Sequence, residues 1–280
     1  MTEHEAQTTA PILVLGGTGK TGRRVVERLA ARNVPVRVGS RSGAPPFDWW
    51  DRATWAGALH GVTSAYLSFY PDVAVPGAAE TVRSFAELAV RGGVRRLVLL
   101  SGRGEEEAQR AEKMVQDSGA EWTILRASWF DQNFSEGQLL APLLDGELAL
   151  PVGDVGEPFV DVDDIAEVAE VALTEDGHVG QLYELTGPRL LTFAEAVAEI
   201  AEAAGRDIRF RTIPVERYAA TLAEQRLPAD VAALLTYLFV EVLDGRNAHP
   251  ADGVRRALGR EARDFRDFAR AAAATGVWSG

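Results

Sequence analysis

Short apolar runs alternate with amphipathic stretches along the first half of the chain. The apolar runs have the length of buried strands, and the segments between them repeat apolar residues at helical spacing. The run ILVL at 12–15, for example, ends at glycines, and Val25, Val26 and Leu29 then share one helical face. This alternation predicts an α/β fold with a Rossmann-type, doubly wound parallel sheet. The predicted strands are ILVL (12–15), PVRVGS (35–40), TSAYLSFY (63–70), RRLVLLSG (95–102) and EWTILRAS (121–128).

The alternation loosens after about residue 135. A helix is predicted to begin at Asp163 or Asp164, since either is a good N-cap, and Thr192 with Glu195 forms a T-x-x-E capping box. From Val215 onward the pattern is mostly helical. We therefore expect a smaller, mostly helical C-terminal lobe built onto the sheet edge. The predicted divisions are a flexible tail at 1–10, a dinucleotide-binding core at 11–135, and a mixed region at 136–280 that returns to the sheet edge and forms a substrate lobe.

Composition narrows the possible functions. The 280 residues carry a formal net charge of −12, which argues against nucleic acid as a partner. No cysteine is present, which excludes disulfides and thiolate chemistry, and the four histidines are too scattered to predict a metal site. The polar start and the lack of a long apolar stretch predict a cytoplasmic protein without a membrane span.

The acidic run Glu105–Glu107 is expected to be the solvated start of a helix.

The stretch VLGGTGKTGRRV raises the question of which phosphate group it binds. A nucleoside-triphosphate P-loop needs G-x-x-x-x-G-K-[ST], and the first glycine of that pattern would fall on Val14, inside a strand. Gly16, Gly19 and Gly22 instead form G-x-x-G-x-x-G between a strand and a helix, the arrangement of a dinucleotide-binding fold. The predicted phosphate-binding residues are Gly16, Gly17, Thr18, Gly19, Lys20, Thr21 and Gly22.

The end of the second predicted strand bears on the choice of dinucleotide. NAD-binding folds place an acidic residue about 20 residues after the glycines, to bind the ribose hydroxyls. Here the strand ends VGSRSG, and the first acid is Asp48. Ser40, Arg41 and Ser42 suit the 2′-phosphate of NADP instead, which favours NADPH over NADH.

Several separated stretches together resemble the NmrA-like branch of the atypical short-chain dehydrogenase/reductases, including its NAD(P)H:quinone oxidoreductase-like members. The resemblance covers about residues 11 to 275 and implies a Rossmann core with a substrate cleft beneath a smaller lobe. The matching stretches are GGTGKTG, DWWDRATW, LVLLSG, E-x-x-V-x-x-SG, EWTILRASWFDQNF, FVDVDDIAEVA and YELTGP.

The resemblance also implies roles for individual residues. Asp48 and Trp49 would line the adenine pocket, and the segment from Ser68 through Phe69 and Tyr70 to Pro71 would wall the ribose and nicotinamide. Ser101 would face the nicotinamide. The substrate cleft would be bordered by Trp129, Phe130 and Asn133, although Ala127 replaces a proline of that signature.

The Tyr-x-x-x-Lys pair that usually supplies the acid in short-chain dehydrogenases is missing. With Lys113 in the lysine position, the tyrosine position holds Gln109, and a register anchored on Glu112 also lacks the pair. Tyr70 and Ser101 are the candidate replacement donors. A quinone or other electron-poor acceptor can also take hydride and be protonated from solvent.

The first functional hypothesis is therefore an NADP(H)-dependent oxidoreductase acting on a small, largely apolar acceptor such as a quinone, an enone or a biosynthetic intermediate. A non-catalytic NADP(H) sensor with a protein partner is the second, and a non-redox tailoring enzyme on the same fold is the third. The oligomeric state is left open by the sequence.

Overall fold

The computed structural model describes residues 10–279, so almost all of the predicted tail at 1–10 lies outside the described residues. Six parallel strands form the central sheet in the order β2-β1-β3-β4-β5-β7. The chain leaves β1 in one direction for β2 and returns across it for β3, which creates the crevice where dinucleotides bind in such sheets. The strands of this sheet are β1 (Ile12–Leu15), β2 (Val36–Gly39), β3 (Ser64–Leu67), β4 (Arg96–Gly102), β5 (Glu121–Ala127) and β7 (Gln181–Leu185).

Helices cover both faces of the sheet, which confirms the predicted fold class. Because successive strand residues point to opposite faces, Leu13 packs beneath one helical layer and Val14 beneath the other. One layer contains α2 (Trp55–Leu59), α3 (Ala78–Arg91) and α4 (Glu106–Gln116), and the other contains α1 (Lys20–Ala31) and α6 (Val162–Thr174).

The region after residue 135 contributes both to the sheet and to a separate apolar cluster. Strand β7 pairs with β5, and α6 packs against α1. Most of the remaining elements enclose the second cluster, in which Phe134, Phe193, Phe265 and Trp278 are fully buried. These elements are α5 (Leu140–Leu144), the parallel pair β6 (Glu147–Leu150) and β8 (Arg209–Thr212), α7 (Phe193–Ala204), α8 (Val215–Glu224), α9 (Ala229–Tyr237) and α11 (Phe265–Ala274). Helix α10 (Gly253–Leu258) instead packs against β7 and α6.

The sequence predicted the starts of two helices in this region, and the structure confirms one of them. The capping box of α7 is present, with Thr192 and Glu195 exchanging hydrogen bonds as predicted. The prediction for α6 is wrong by two or three residues, because Asp161 rather than Asp163 or Asp164 is its N-cap. Asp161 accepts the Asp163 backbone N–H, whereas Asp164 lies on the buried side and pairs with Arg260.

Among residues 10–279, no helix combines the length and the apolar character that a membrane crossing requires.

Candidate functional site

A cleft of about 660 Å³ opens at the carboxyl edge of the central sheet. Its floor is made by the ends of β1 to β5, and its far side is closed by α9 and by the segment after β5. Most residues that the sequence analysis selected line it. They are Gly16, Thr18, Gly19, Lys20, Thr21, Ser40, Arg41, Asp48, Trp49, Ser68, Phe69, Tyr70, Ser101, Trp129, Phe130 and Asn133, whereas Gly17, Gly22 and Ser42 lie outside the cleft lining.

The glycine loop is held by close backbone contacts that leave no room for side chains. Gly16 adopts a φ of +64°, which favours glycine, and its carbonyl accepts the Gly19 N–H at 2.8 Å. A methyl group at Gly22 would overlap that same carbonyl, and one at Gly17 would lie 2.9 Å from Val38 Cγ1. These contacts bring the start of α1 against the end of β1.

The amino end of α1 therefore faces the cleft with its amides free of side-chain caps. Gly19 is the N-cap and supplies no side chain, and both Thr18 and Gly19 are exposed. Uncapped N–H groups and the positive end of the helix dipole bind diphosphates in this way. The residues at this turn thus fit the diphosphate of a dinucleotide.

Lys20 and Thr21 take different positions at this turn. The Lys20 ammonium donates to Asn133 Oδ1 at 2.7 Å, so it joins the glycine loop to the segment after β5. Burial lowers the pKa of Lys20, and Glu136 partly opposes that effect. The Thr21 hydroxyl points into the core, where it accepts the Tyr66 phenol at 3.0 Å.

At one end of the cleft, Arg41 follows β2 beside Ser40. Its guanidinium lies 5.3 Å from the centre of the Tyr70 ring, within cation–π range. Tyr70 is 61% exposed, and the Ser42 hydroxyl is 3.5 Å from that of Ser40. Tyr70 therefore lies beside the segment that follows β2.

The wall next to this end is built by an aromatic group. Trp49 is buried, donates its indole N–H to the Ser68 carbonyl at 2.9 Å and packs 4.8 Å from Phe69. The Asp48 carboxylate accepts the Trp50 backbone N–H and so fixes its own turn. Trp50, which sequence reasoning did not select, is the exposed member, and it also lines the cleft.

At the end of β4, Ser101 belongs to a buried polar network. Its hydroxyl donates to Glu112 Oε1 at 2.6 Å, and Glu112 also pairs with Arg126. The hydroxyl hydrogen of Ser101 is thus already engaged in a hydrogen bond to the Glu112 carboxylate. Lys113 points to solvent and pairs with Asp117, and it does not line the cleft.

The other end of the cleft is apolar. Trp129 borders this end, and the centre of its ring lies 4.8 Å from that of Phe239 in the second cluster. Trp129 therefore belongs both to the packing of that cluster and to the cleft. Phe130 lies beside it, and α9 contributes Val231 and Leu234 from above. The apolar stretch around α9, which at helical spacing resembles ordinary core, is thus also a cover for the site.

Two buried carboxyl groups in the cleft were missed by sequence reasoning. Glu157 is 1% exposed, and burial raises its pKa to about 7. Hydrogen bonds from the Trp129 amide and the Ser128 hydroxyl act in the opposite direction and lower this pKa. Glu105 was expected to be solvated with Glu106 and Glu107, but it is 8% exposed and only Glu106 is open to solvent. Because all three residues of Glu105–Glu107 are glutamates, the sequence does not indicate which of them is buried.

The chain is similar to known oxidoreductases over most of its length. No family model matches the chain. The oxidoreductase YesF of Bacillus subtilis is 34% identical over 96% of this chain and 98% of its own, and the NAD(P)H azoreductase of Xenophilus azovorans is 30% identical over 94% and 98%. The Escherichia coli quinone oxidoreductase QOR2, solved with NADPH, superposes with a TM-score of 0.78 at 25% identity over 92% and 98%.

The chain belongs to the NmrA-like family of atypical short-chain dehydrogenase/reductases. The relatives also confirm the prediction of an NAD(P)H-dependent oxidoreductase. In this NmrA-like protein, the glycine loop and the apolar end of the cleft line one continuous cavity.

Replacing Gly22 with Ala is expected to destabilise the NmrA-like fold at its glycine loop. The new methyl group would overlap the Gly16 carbonyl, and relief of such overpacking costs about 1–3 kcal/mol. Urea unfolding at neutral pH measures this loss, and NADPH affinity should fall with it. Gly153→Ala is the matched control because a methyl group there meets nothing within 4 Å. Equal stability of the two variants would contradict the argument.

Glu157 predicts a pH dependence of stability. The folded state keeps the Glu157 proton up to about pH 7, while the unfolded state loses it near 4.5, so this contribution is complete below pH 4.5 and is lost as pH rises through 7. The loss amounts to about 3 kcal/mol. Urea unfolding from pH 5 to 8 should therefore give a shallower decline for Glu157→Gln than for the wild type.

The control for that measurement is Glu216→Gln, because Glu216 is exposed on α8. Its stability curve should run parallel to that of the wild type. A Glu157→Gln curve that also runs parallel would show that Glu157 loses its proton at the same pH in the folded and unfolded chains.

Proposed function

We propose that this reductase binds NADPH across the carboxyl edge of its sheet and reduces a small, largely apolar acceptor such as a quinone, an enone or a biosynthetic intermediate. The observation that carries the proposal is the continuity of the cleft. It runs from Arg41, past the uncapped start of α1, to the apolar end at Trp129 and α9. A dinucleotide laid along it would place its two ends in chemically different surroundings.

The residues around Arg41 support a preference for NADPH over NADH. An exposed guanidinium and two hydroxyl groups follow β2, where an NAD-binding fold would carry a carboxylate. The nearest acid along the chain, Asp48, is bonded to its own turn. QOR2 is described in complex with NADPH, which is consistent with this preference.

The bound cofactor would supply the hydride, so the protein's part is to position, enclose and protonate. Lys20 and the α1 amides would hold the diphosphate, with Asn133 fixing the Lys20 ammonium. Trp129, Phe130 and α9 would hold a flat apolar acceptor and exclude water. Proximity of this kind supplies much of the acceleration that hydride transfer needs.

Neither Ser101 nor Tyr70 is given the role of proton donor in this proposal. Ser101 donates to Glu112, and the Tyr70 ring is paired with Arg41 at the cofactor-selecting end. We assign Ser101 to orientation of the β4 end and Tyr70 to the wall of the cofactor site.

Replacing Arg41 with Ala is expected to remove most of the preference for NADPH. Loss of a charge-assisted contact to the 2′-phosphate should weaken NADPH binding by about 1.5–3 kcal/mol, or roughly ten- to a hundredfold, and leave NADH binding unchanged. Calorimetric titration with both cofactors measures the two affinities. Arg91→Ala, an exposed change at the end of α3, is the control. An unaltered NADPH-to-NADH ratio would place the 2′-phosphate contact elsewhere.

Purified protein is expected to oxidise NADPH in the presence of quinones or enones, as followed by the loss of NADPH absorbance. Turnover with some acceptor of this class supports the proposed function. Absence of turnover across the panel, together with equal affinity for NADP⁺ and NADPH, would favour a cofactor-sensing regulator instead.

A further inference from the structure

A hydride alone does not complete the reduction of a neutral acceptor. When a quinone takes up hydride, negative charge develops on an oxygen, and a proton must reach that atom. The tyrosine and lysine that usually deliver it are missing from the positions that the family uses: Gln109 is exposed, and Lys113 is paired with Asp117. If the proposed function holds, another acidic group must serve or the proton must come from water.

Glu105 lies where such a group is required. It follows the end of β4 by three residues and lines the cleft. Its carboxyl lies directly over Gly102, so closely that a methyl group there would overlap both carboxyl oxygens. Since Arg41 marks the cofactor's ribose end at β2, the reactive ring would reach across the sheet toward β4 and β5, on the side of Glu105.

The surroundings of Glu105 favour a neutral carboxylic acid. Its Oε2 atom is buried and has no hydrogen-bond partner within residues 10–279. An ionised oxygen so placed would be costly, and a proton removes that cost. Burial is the main cause that raises the pKa of Glu105 well above its usual value, and the neighbouring carboxylates Asp72 and Glu112 raise it further.

The nearby acids differ from Glu105 in their partners. Asp72 accepts the Ala74 N–H at 2.8 Å, and Glu112 accepts Ser101 and Arg126. Glu157 accepts the Trp129 amide and lies near Arg103. Burial still raises the pKa of Asp72, and it raises that of Glu157 to about 7. Glu105 differs from these acids in geometry, because it is the one whose buried carboxyl oxygen, Oε2, has no hydrogen-bond partner within residues 10–279.

The other charged groups around Glu105 do not reverse this assignment. Tyr237 of α9 faces it, and burial raises the pKa of that phenol, with Glu105 adding to the effect. Arg103 is bonded to Glu184 and His249, and Arg246, above Gly104, is paired with Asp244. Both guanidinium groups are thus bound to other partners.

We propose that Glu105 is the acid of this reductase and protonates the acceptor as hydride arrives. Bound NADPH would supply the hydride, and its two electrons would reduce the acceptor and leave NADP⁺. The O–H bond of Glu105 breaks and its proton goes to the acceptor oxygen or nitrogen. The Glu105 carboxylate then takes a proton from water, so one proton from solvent is consumed in each turnover.

The test compares two acceptors in Glu105→Gln. A neutral quinone needs a proton with its hydride, whereas a cationic triarylmethane dye becomes neutral on hydride addition and needs none. The variant should lose about a hundredfold or more in kcat with the quinone, the range general acids contribute, and keep its rate with the dye. The wild-type quinone rate should fall as pH rises through the Glu105 pKa, and the variant's should be low and flat.

Glu106→Gln is the matched control, since Glu106 is the adjacent, exposed acid. It should behave as the wild type with both acceptors. Glu157→Gln tests the other cleft acid, and if it alone loses quinone turnover and its pH dependence, the assignment to Glu105 is overturned. An equal loss of Glu105→Gln with both acceptors would also overturn it, by showing a defect in hydride transfer or binding.

A second measurement needs neither cofactor nor turnover. Infrared difference spectra of the wild type minus Glu105→Gln at pH 7 should contain the carbonyl stretch of a protonated carboxylic acid, and spectra of the wild type minus Glu106→Gln should not. A missing band would overturn the proposal even where both proteins are active. If the wild type oxidises NADPH with neither acceptor, the proposed function fails, while the infrared result still decides where the proton resides.

Discussion

The contact between the backbones of Gly16 and Gly22 is the constraint on which the site depends. It brings the first turn of α1 against the end of β1 so closely that no side chain fits between them. The amides at the start of α1 are therefore left uncapped at the carboxyl edge of the sheet. We propose that their partial charge, rather than any single side chain, binds a diphosphate at this edge.

The rest of the cleft is arranged around that turn. The hydrogen bond between Lys20 and Asn133 connects it to the segment after β5, so the glycine loop and the apolar end of the cleft are held together. Trp129 packs on the second core while bordering the cleft, which ties the shape of the acceptor end to the packing of the C-terminal lobe. Burial raises the pKa of the cleft acids Glu105 and Glu157, and Glu105 is the proton source that we propose in place of a tyrosine and lysine pair.

Local patterns in the sequence predicted the fold and the glycine turn between β1 and α1. The strands, the glycine spacing and the Thr192 capping box all depend on residues within a few positions of one another. The pairing of Lys20 with Asn133, across 113 positions, depends on the tertiary fold and was not predicted. The inward turn of Glu105 was also missed, because its carboxyl occupies space over Gly102 that the acidic run itself does not reveal.

We propose that the uncapped turn at Gly16 to Gly22 binds the diphosphate of NADPH and directs its nicotinamide toward β4 and β5. A crystal structure of the protein soaked with NADPH tests this most directly. We expect the diphosphate on the amides of α1, the 2′-phosphate beside Arg41, and the nicotinamide between Trp129 and Glu105. A coenzyme bound in the reverse direction, or a turn left empty at saturating NADPH, would contradict it.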